Sequence, residues 1–187
     1  RRGSGSGSRA VAEARREREG ARLVPARDGV PAGAALVTEA ELAAWGRAIG
    51  SGAEPPLWLA LVGELGAGKS VLARAVCEGA GVRGWVPSPT FVLANVYRSP
   101  RGFPVWHVDL YRLERPEELQ DRAWRDLRGV RGLGCVEWAD RARDRWPDDV
   151  WEVRLEHVAD PALRRVVLRR HGAPRALPPL PGREEAR

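Results

Sequence analysis

Hydrophobic and polar positions follow regular periods between residues 36 and 170. The motif Thr38-Glu39-Ala40-Glu41 precedes apolar residues at helical spacing, which predicts a capped amphipathic helix ending near Gly52. The uninterrupted apolar run Leu57–Val62 is typical of a strand covered on both faces. A second helix is predicted over Val71–Gly79. Together these elements indicate an α/β fold around a central sheet.

The second half of the chain adds five strands and one helix. The helix begins with proline and carries two acids in its first turn, both of which suit a helix N-terminus. The first two strands are joined by a short Ser-Pro-Arg-Gly turn and predict a hairpin, and the last two predict a strand pair. The predicted strands are Phe91–Tyr97, Phe103–Asp109, Leu133–Val136, Val150–His157 and Leu163–Arg169, and the helix is Pro116–Leu127.

Residues 1–35 and 171–187 have the composition of disordered tails. The first stretch is rich in Gly, Ser and Arg and the second in Pro, and neither holds enough large apolar residues to offset the entropy of ordering. We therefore expect a disordered extension or linker over 1–35, one domain over 36–170 and a disordered tail over 171–187.

The basic balance of the chain does not predict nucleic-acid binding. The formal net charge is +6 and the isoelectric point is about 10.5. Residues 1–35 hold eight arginines against four acids, whereas residues 36–170 hold 20 basic and 19 acidic residues. Most of the excess therefore lies in the predicted tails, and we expect no DNA partner.

Cysteine content and hydropathy favour a cytoplasmic location. Cys77 and Cys135 match no metal-ligand spacing, and two thiols in 187 residues do not indicate a disulfide scaffold. No apolar run reaches the roughly 18 to 20 residues that a membrane span needs. We expect a protein of the reducing cytosol that makes no membrane contact.

A complete phosphate-binding motif follows the buried strand. The segment Gly63-Glu64-Leu65-Gly66-Ala67-Gly68-Lys69-Ser70 matches G-x-x-x-x-G-K-[ST] and lies between a predicted strand and a predicted helix. Glycines let the backbone N–H groups surround phosphates, Lys69 supplies a compact charge, and the Ser70 hydroxyl is suited to Mg²⁺. The alternative is a Gly-rich turn with an incidental Gly-Lys-Ser.

Lysine usage favours the phosphate-binding interpretation. Of the 31 basic residues, Lys69 is the only lysine and the others are arginines. Arginine is a planar fork that cannot replace a compact ammonium inside a closed loop. A chain that uses arginine nearly everywhere is therefore expected to keep lysine where phosphate geometry requires it.

Two acids follow predicted strands and are candidates for the chemistry. Asp109 ends the segment Val105-Trp106-His107-Val108, and Glu137 follows Gly134-Cys135-Val136. A P-loop enzyme needs a carboxylate at a neighbouring strand end to hold Mg²⁺ or its water. The alternative for each is an acid that caps the next element.

Three further features each have two interpretations. Ser88-Pro89-Thr90-Phe91 either senses the terminal phosphate, as such segments do in several P-loop proteins, or is a simple turn. His107 is either a general base or, as we favour, a strand residue packed beside Asp109. Trp138 either stacks on a base or fills the core.

These motifs together resemble the TsaE family, the P-loop ATPases of bacterial tRNA threonylcarbamoyladenosine biosynthesis. The resemblance rests on the phosphate-binding motif, Ser88-Pro89-Thr90-Phe91, His107-Val108-Asp109-Leu110-Tyr111-Arg112 and Glu137-Trp138, and covers residues 36–170. It implies a P-loop NTPase-like three-layer sandwich with a mixed central sheet. It also implies ATP and Mg²⁺ as cofactors, TsaB and TsaD as protein partners, and an indirect connection to tRNA.

The resemblance also implies roles for individual residues. Lys69 and Ser70 would hold the phosphates and Mg²⁺, Glu137 would be the carboxylate near the metal, and Asp109 would orient the attacking water. Thr90 would lie in a switch-like segment that acts in catalysis. The nucleotide-binding residues would be the motif from Gly63 to Ser70 with Val71, together with Glu39, Trp138 and Arg164.

The expected activity is Mg²⁺-dependent ATP hydrolysis, slow in isolation, that drives or resets a TsaB–TsaD complex. A small-molecule kinase would share the phosphate loop but needs an acceptor pocket and usually an arginine-bearing lid, for which the run Arg141–Arg145 is the available candidate. A nucleotide-dependent assembly switch would need binding without hydrolysis.

Overall fold

The computed structural model describes residues 29–84, 86–89, 93–115, 119 and 131–182. Its helices are α1 (Glu39–Gly52) and α2 (Lys69–Gly79), and residues Ala139–Arg145 form a 3₁₀ segment. Its strands are β1 (Val30–Thr38), β2 (Leu57–Gly63), β3 (Ala94–Arg98), β4 (Pro104–Asp109), β5 (Leu133–Glu137), β6 (Val150–His157) and β7 (Leu163–His171).

The seven strands form one mixed sheet in the order β1-β7-β6-β2-β5-β4-β3. Strands β6, β2, β5 and β4 are parallel to their neighbours in this central block, and β3, β7 and β1 add antiparallel edges. The carboxyl ends of β2, β4 and β5 therefore meet at one edge of the sheet. This confirms the expected P-loop-like α/β fold with a mixed sheet.

Helices α1 and α2 cover one face of the sheet. Their apolar sides pack on alternate residues of β2 and β6 and bury them. The helix residues in this cluster include Leu42, Ile49, Leu72 and Val76. Helix α1 begins with the expected capping box, in which Glu41 N–H donates to the Thr38 hydroxyl and Thr38 N–H to the Glu41 carboxylate.

Apolar residues also cover the opposite face of the central strands. Trp58 of β2 and Trp106 of β4 stack with ring centroids 5.4 Å apart, and Ala139 and Ala142 of the 3₁₀ segment pack beside them. The predicted helix Pro116–Leu127 lies outside the described residues except for Leu119, which is buried in this cluster. Strand β2 is thus covered on both sides, as its continuous apolar run predicted.

The first domain boundary is corrected by β1. We expected disorder up to residue 35, but β1 starts at Val30 and pairs antiparallel with β7. As an edge strand it tolerates Pro31 and Gly33, and the pairing register shifts between these two residues. Only Ala35 and Val37 are buried, so its hydrophobic signal is too short to reveal the strand.

The C-terminal boundary is corrected as well. Residues 172–182 have no helix or strand but are held by two tryptophans: Trp151 Nε1 donates to Arg175 O at 2.8 Å, and Trp45 Nε1 donates to Pro178 O at 3.1 Å. Leu177 and Leu180 pack against the core. The Pro-rich composition predicts disorder, but the residues that hold this segment in place are distant from it in sequence.

Two other expectations concern hydropathy and thiols. Among the described residues, no helix is long and apolar enough to cross a membrane. Cys77 and Cys135 are both free and buried. Burial raises the pKa of the Cys77 thiol to about 12 and that of Cys135 well above its usual value, so both thiols stay protonated at neutral pH.

Candidate nucleotide-binding site

The phosphate-binding motif forms the connection between β2 and α2. Gly68 caps α2 with φ +106°, a left-handed conformation that side chains disfavour. Gly63 lies so close to β6 that a Cβ there would be 2.2 Å from Leu155 O. Two glycines of the motif are therefore required by the path of the backbone, which brings the N-terminus of α2 to the sheet edge.

Lys69 lies inside the loop. Its Nζ donates to Gly63 O and Glu64 O, both at 2.7 Å, and stands 3.7 Å from the centroid of the Trp138 ring. Burial lowers the Lys69 pKa, and the charges of Glu137, Asp140 and Asp109 partly oppose this shift. The loop thus places a partly desolvated ammonium beside carboxylates at the sheet edge.

Glu137 links the loop to the strands. Its carboxylate is buried and accepts from Ser70 Oγ at 2.6 Å through Oε2 and from His107 Nε2 at 2.6 Å through Oε1. The Ser70 hydroxyl of α2 and the Glu137 carboxylate of β5 are therefore in direct contact. Both offer hard oxygen atoms, the ligand type that Mg²⁺ prefers.

Asp109 lies directly across from Glu137 in the parallel register of β4 and β5. Its Oδ1 accepts from Tyr111 N–H at 2.9 Å and its Oδ2 from Ser88 Oγ at 3.1 Å. Ser88 belongs to the segment expected to sense a terminal phosphate, and Thr90 of that segment lies outside the described residues. The pairing register alone brings the two candidate acids to the same edge.

A cleft of about 460 Å³ opens above these groups. Eleven of the predicted site residues line it: Glu39, Leu65, Gly66, Gly68, Lys69, Ser70, Val71, Asp109, Glu137, Trp138 and, from β7, Arg164. The structure therefore gathers residues from five separate parts of the chain into one site.

Three motif residues lie behind the cleft instead of lining it. Gly63 and Glu64 present their carbonyl oxygens to Lys69, and Ala67 is fully buried with its N–H bonded to Glu64 O at 3.2 Å. Sequence reasoning missed Leu42, Pro161 and Ala162, which also line the cleft. Leu42 has the local sequence of any buried helix position, and Pro161 and Ala162 have that of any surface loop, so no sequence signal marks them as site residues.

The structure locates His107 and Trp138 relative to the cleft. His107 is fully buried in β4, as favoured, but its partner is Glu137 and not Asp109. Trp138 has a left-handed backbone with φ 55° and turns its ring toward Lys69 and Tyr111 at the cleft. The ring lines the cleft and is also partly buried against the core, so a ligand-facing role for Trp138 stays a prediction.

Comparison with known proteins identifies the family. The family model "Threonylcarbamoyl adenosine biosynthesis protein TsaE" matches residues 36–166. The chain belongs to the TsaE family. It is 35% identical over 107 residues to the tRNA threonylcarbamoyladenosine biosynthesis protein TsaE of Haemophilus influenzae, an alignment that covers 57% of this chain and 67% of that one.

A further TsaE relative agrees with this assignment, and a solved structure shares the fold. The Streptomyces coelicolor TsaE protein is 40% identical over 99 residues, with 52% of this chain and 67% of that one covered. The crystal structure of Bacillus subtilis YdiB superposes with a TM-score of 0.62 at 24% identity, covering 74% of this chain and 85% of that one. The YdiB structure supports the fold. The Streptomyces coelicolor relative supports the role of the TsaE family in tRNA modification.

Proposed function

We propose that this TsaE family member binds and hydrolyses ATP with Mg²⁺ as a cytoplasmic component of the machinery that makes N6-threonylcarbamoyladenosine in tRNA. In this proposal it drives or resets a complex of TsaB and TsaD, and through that complex it acts indirectly on tRNA. The observation that carries the proposal is the convergence of Lys69 and Ser70 with Asp109 and Glu137 in one cleft.

The residues of the cleft fit a nucleoside triphosphate and a magnesium ion. The glycine-shaped loop, the N-terminus of α2 and Lys69 favour the phosphates, and Ser70 with Glu137 would hold the metal. Among the described residues, no cluster of three or more His, Cys, Asp or Glu side chains could bind a metal by itself. Phosphate and water oxygens would therefore complete the Mg²⁺ shell, as is usual for this ion.

When bound, ATP with Mg²⁺ supplies the transferable γ-phosphoryl group. Lys69 would neutralise charge on the terminal phosphates, and Glu137 would keep Ser70 oriented toward the metal. Asp109 would align the attacking water, while its bond to Ser88 ties that acid to the segment that contains Thr90. Trp138, beside Lys69, would close one side of the cleft and limit the access of bulk water.

The decisive experiment measures phosphate release by the purified chain with TsaB and TsaD. We expect hydrolysis that is slow alone, faster in the complex and abolished by Lys69→Ala. The matched control is Arg47→Ala, which removes one cation from the exposed side of α1, where Arg47 is 52% exposed. If wild type with its partners hydrolyses ATP no faster than Lys69→Ala, the ATPase proposal is wrong.

A second experiment connects the site with tRNA. A TsaE-deficient strain is complemented with this chain, and the modified adenosine is measured by mass spectrometry. We expect restoration by wild type and Arg47→Ala but not by Lys69→Ala. Full restoration by a variant that binds ATP without hydrolysing it would favour an assembly switch, and phosphate transferred to an added metabolite would favour a kinase.

A further inference from the structure

A second cavity, of about 360 Å³, lies away from the nucleotide cleft. We call it the arginine pocket, and it is lined by Gly29, Arg143, Glu152, Arg154 and Arg169. Its β6 residues alternate with Val153 and Leu155, which pack under α1 and α2. The pocket therefore opens on the opposite face of the sheet, and it shares no lining residue with the nucleotide cleft.

Glu152 fixes the positions of two guanidinium groups in this pocket. Its buried carboxylate accepts from Arg143 Nη2 at 2.9 Å and from Arg154 Nη2 at 3.0 Å, both through Oε1. The other oxygen, Oε2, bonds with His171 Nε2 at 3.1 Å. Arg143 and Arg154 remain 35% and 36% exposed, so their other N–H groups are accessible while their heads are held in place.

Arg169 adds a third cation without a carboxylate partner. It lies directly opposite Glu152 in the β6–β7 register, yet its Nη1 donates to Gly29 O at 3.2 Å. Within the part of the chain that the structure describes, no acid pairs with Arg169, and Glu152 is the only acid that lines the pocket. Three guanidinium groups thus face one carboxylate, which leaves an excess of two positive charges.

We propose that the arginine pocket binds a phosphate group. Guanidinium groups present paired donors that match phosphate oxygens, and an excess of two charges balances a phosphate of about −1.5 to −2. The cavity lies within the size range of small-molecule sites, about 300 to 1,000 Å³. It therefore has room for phosphate on a larger molecule. The ligand is either a phosphomonoester, whose charge matches the excess by itself, or successive backbone phosphates of an RNA strand, each with about one negative charge.

The test reads the arginines directly, because the P-loop is itself a candidate phosphate site. NMR signals of the arginine Nε–Hε groups are followed in the full chain during titration with inorganic phosphate, and separately with a single-stranded RNA octamer lacking terminal phosphates. We expect the signals of Arg143, Arg154 and Arg169 to move together and to saturate. Saturation by inorganic phosphate indicates a monoester site, and saturation by RNA alone indicates a backbone site.

Matched variants separate a built site from general surface charge. Arg169→Gln removes a pocket cation and should weaken binding at least fivefold, whereas Arg170→Gln should change it by less than twofold. Arg170 is the adjacent, exposed residue of the same strand and does not line the pocket. In the RNA arm, Arg169→Gln should also lower the slope of log K against log salt by about one.

Three results would overturn the phosphate assignment. The first is the absence of a saturable shift with either probe, and the second is an equal loss of binding in Arg169→Gln and Arg170→Gln. The third is retention of full binding in Arg169→Gln. Arg169→Lys keeps the positive charge but loses the planar guanidinium group, so it should bind the probe with intermediate affinity. Intermediate binding would show that the loss in Arg169→Gln is not a folding defect. ATP hydrolysis in the same samples reports on the nucleotide cleft separately.

Discussion

At the scale of single residues, hydrogen bonds between side chains orient the groups of the candidate site. His107 is not at the cleft surface, yet it bonds to the same carboxylate that contacts Ser70. Its Nδ1 is buried and has no hydrogen-bond partner among the described residues. We therefore infer that His107 acts on the site through its Nε2 hydrogen bond, which orients the Glu137 carboxylate.

Replacement of His107 tests this orienting role. His107→Phe removes the donor at similar size, and we expect Mg²⁺-dependent ATP binding to weaken by about 10- to 100-fold. Nucleotide binding without metal should change little, because the phosphate loop remains intact. Isothermal titration with and without Mg²⁺ measures both quantities. His107→Gln keeps an amide donor and should recover part of the loss, whereas an equal loss in both variants would contradict the model of a directed hydrogen bond.

Asp109 is expected to act on the attacking water and not on ATP affinity. In Asp109→Asn the side-chain oxygen still accepts from Tyr111 N–H, so the loop should stay ordered and ATP should bind within about twofold. Hydrolysis should fall by about 100-fold or more, since an amide cannot accept a proton from water. The control is Asp140→Asn, an exposed acid close enough to influence Lys69. Comparable losses in both variants would mean that net charge alone is responsible.

At the scale of elements, close approaches between strands and loops position the site. Strand β2 runs beside β6 until Gly63, where the chain turns into the phosphate loop against Leu155 O. The sequence motif predicted that Gly63 lets the backbone fold around the phosphates. It did not indicate that Gly63 is needed for packing on β6, because β6 lies about 90 residues away.

Gly63→Ala is expected to destabilise the fold. The added Cβ would lie 2.2 Å from Leu155 O, and the φ of +148° is unfavourable for alanine. We expect a loss of about 1–3 kcal/mol in the free energy of unfolding, measured by urea denaturation. Gly52→Ala is the matched control: its Cβ would meet nothing within 4 Å, and at the end of α1 it should leave stability unchanged or raise it by up to about 1 kcal/mol.

The β6–β7 pair carries a pH-dependent contribution to stability. Burial alone raises the pKa of Glu152, but the hydrogen bond with His171 and the charges and bonds of Arg143 and Arg154 outweigh it and lower the pKa below 4.5. A carboxyl whose pKa is lower in the folded state stabilises the fold above its unfolded pKa. That stabilisation is lost as the pH falls through the folded value.

Glu152→Gln should therefore cost about 1.5–3 kcal/mol at pH 7, because it removes charge-assisted hydrogen bonds. The difference from wild type should shrink as the pH falls from the ordinary pKa of a glutamate in the unfolded chain through the lower folded pKa of Glu152. Urea denaturation at several pH values checks this. A difference that does not change as the pH falls through the acid range in which wild-type Glu152 is titrated would show that its charge is not responsible.

At the scale of the whole molecule, both ends of the described chain complete the core. Strand β1 extends the sheet at one edge, and residues 172–182 contact α1 and β6 by accepting hydrogen bonds from the indole N–H groups of Trp45 and Trp151. Both segments lie outside the domain expected from composition. Their order comes from long-range partners and not from local propensity.

Leu177→Ala combined with Leu180→Ala tests the contribution of the C-terminal segment. Both side chains are partly buried against the core, so we expect the double variant to lose about 2–4 kcal/mol of unfolding free energy. Thermal and urea denaturation measure the loss. Arg175→Ala changes an exposed side chain of the same segment and should stay within about 0.5 kcal/mol of wild type. Wild-type stability in the double variant would contradict a structural role for this segment.

The sequence by itself determined the local elements and much of the candidate chemistry. The capping box at Thr38, the buried strand β2, the β3–β4 hairpin and the phosphate loop are set by short-range periods and by glycine conformation, which act within a few residues. The tertiary structure alone decided the rest. The strand register placed Asp109 beside Glu137, His107 against Glu137, and the arginines around Glu152. Apart from Arg154, which is two positions from Glu152, these contacts join residues 9 to 30 positions apart, and their energies appear only after the sheet has formed.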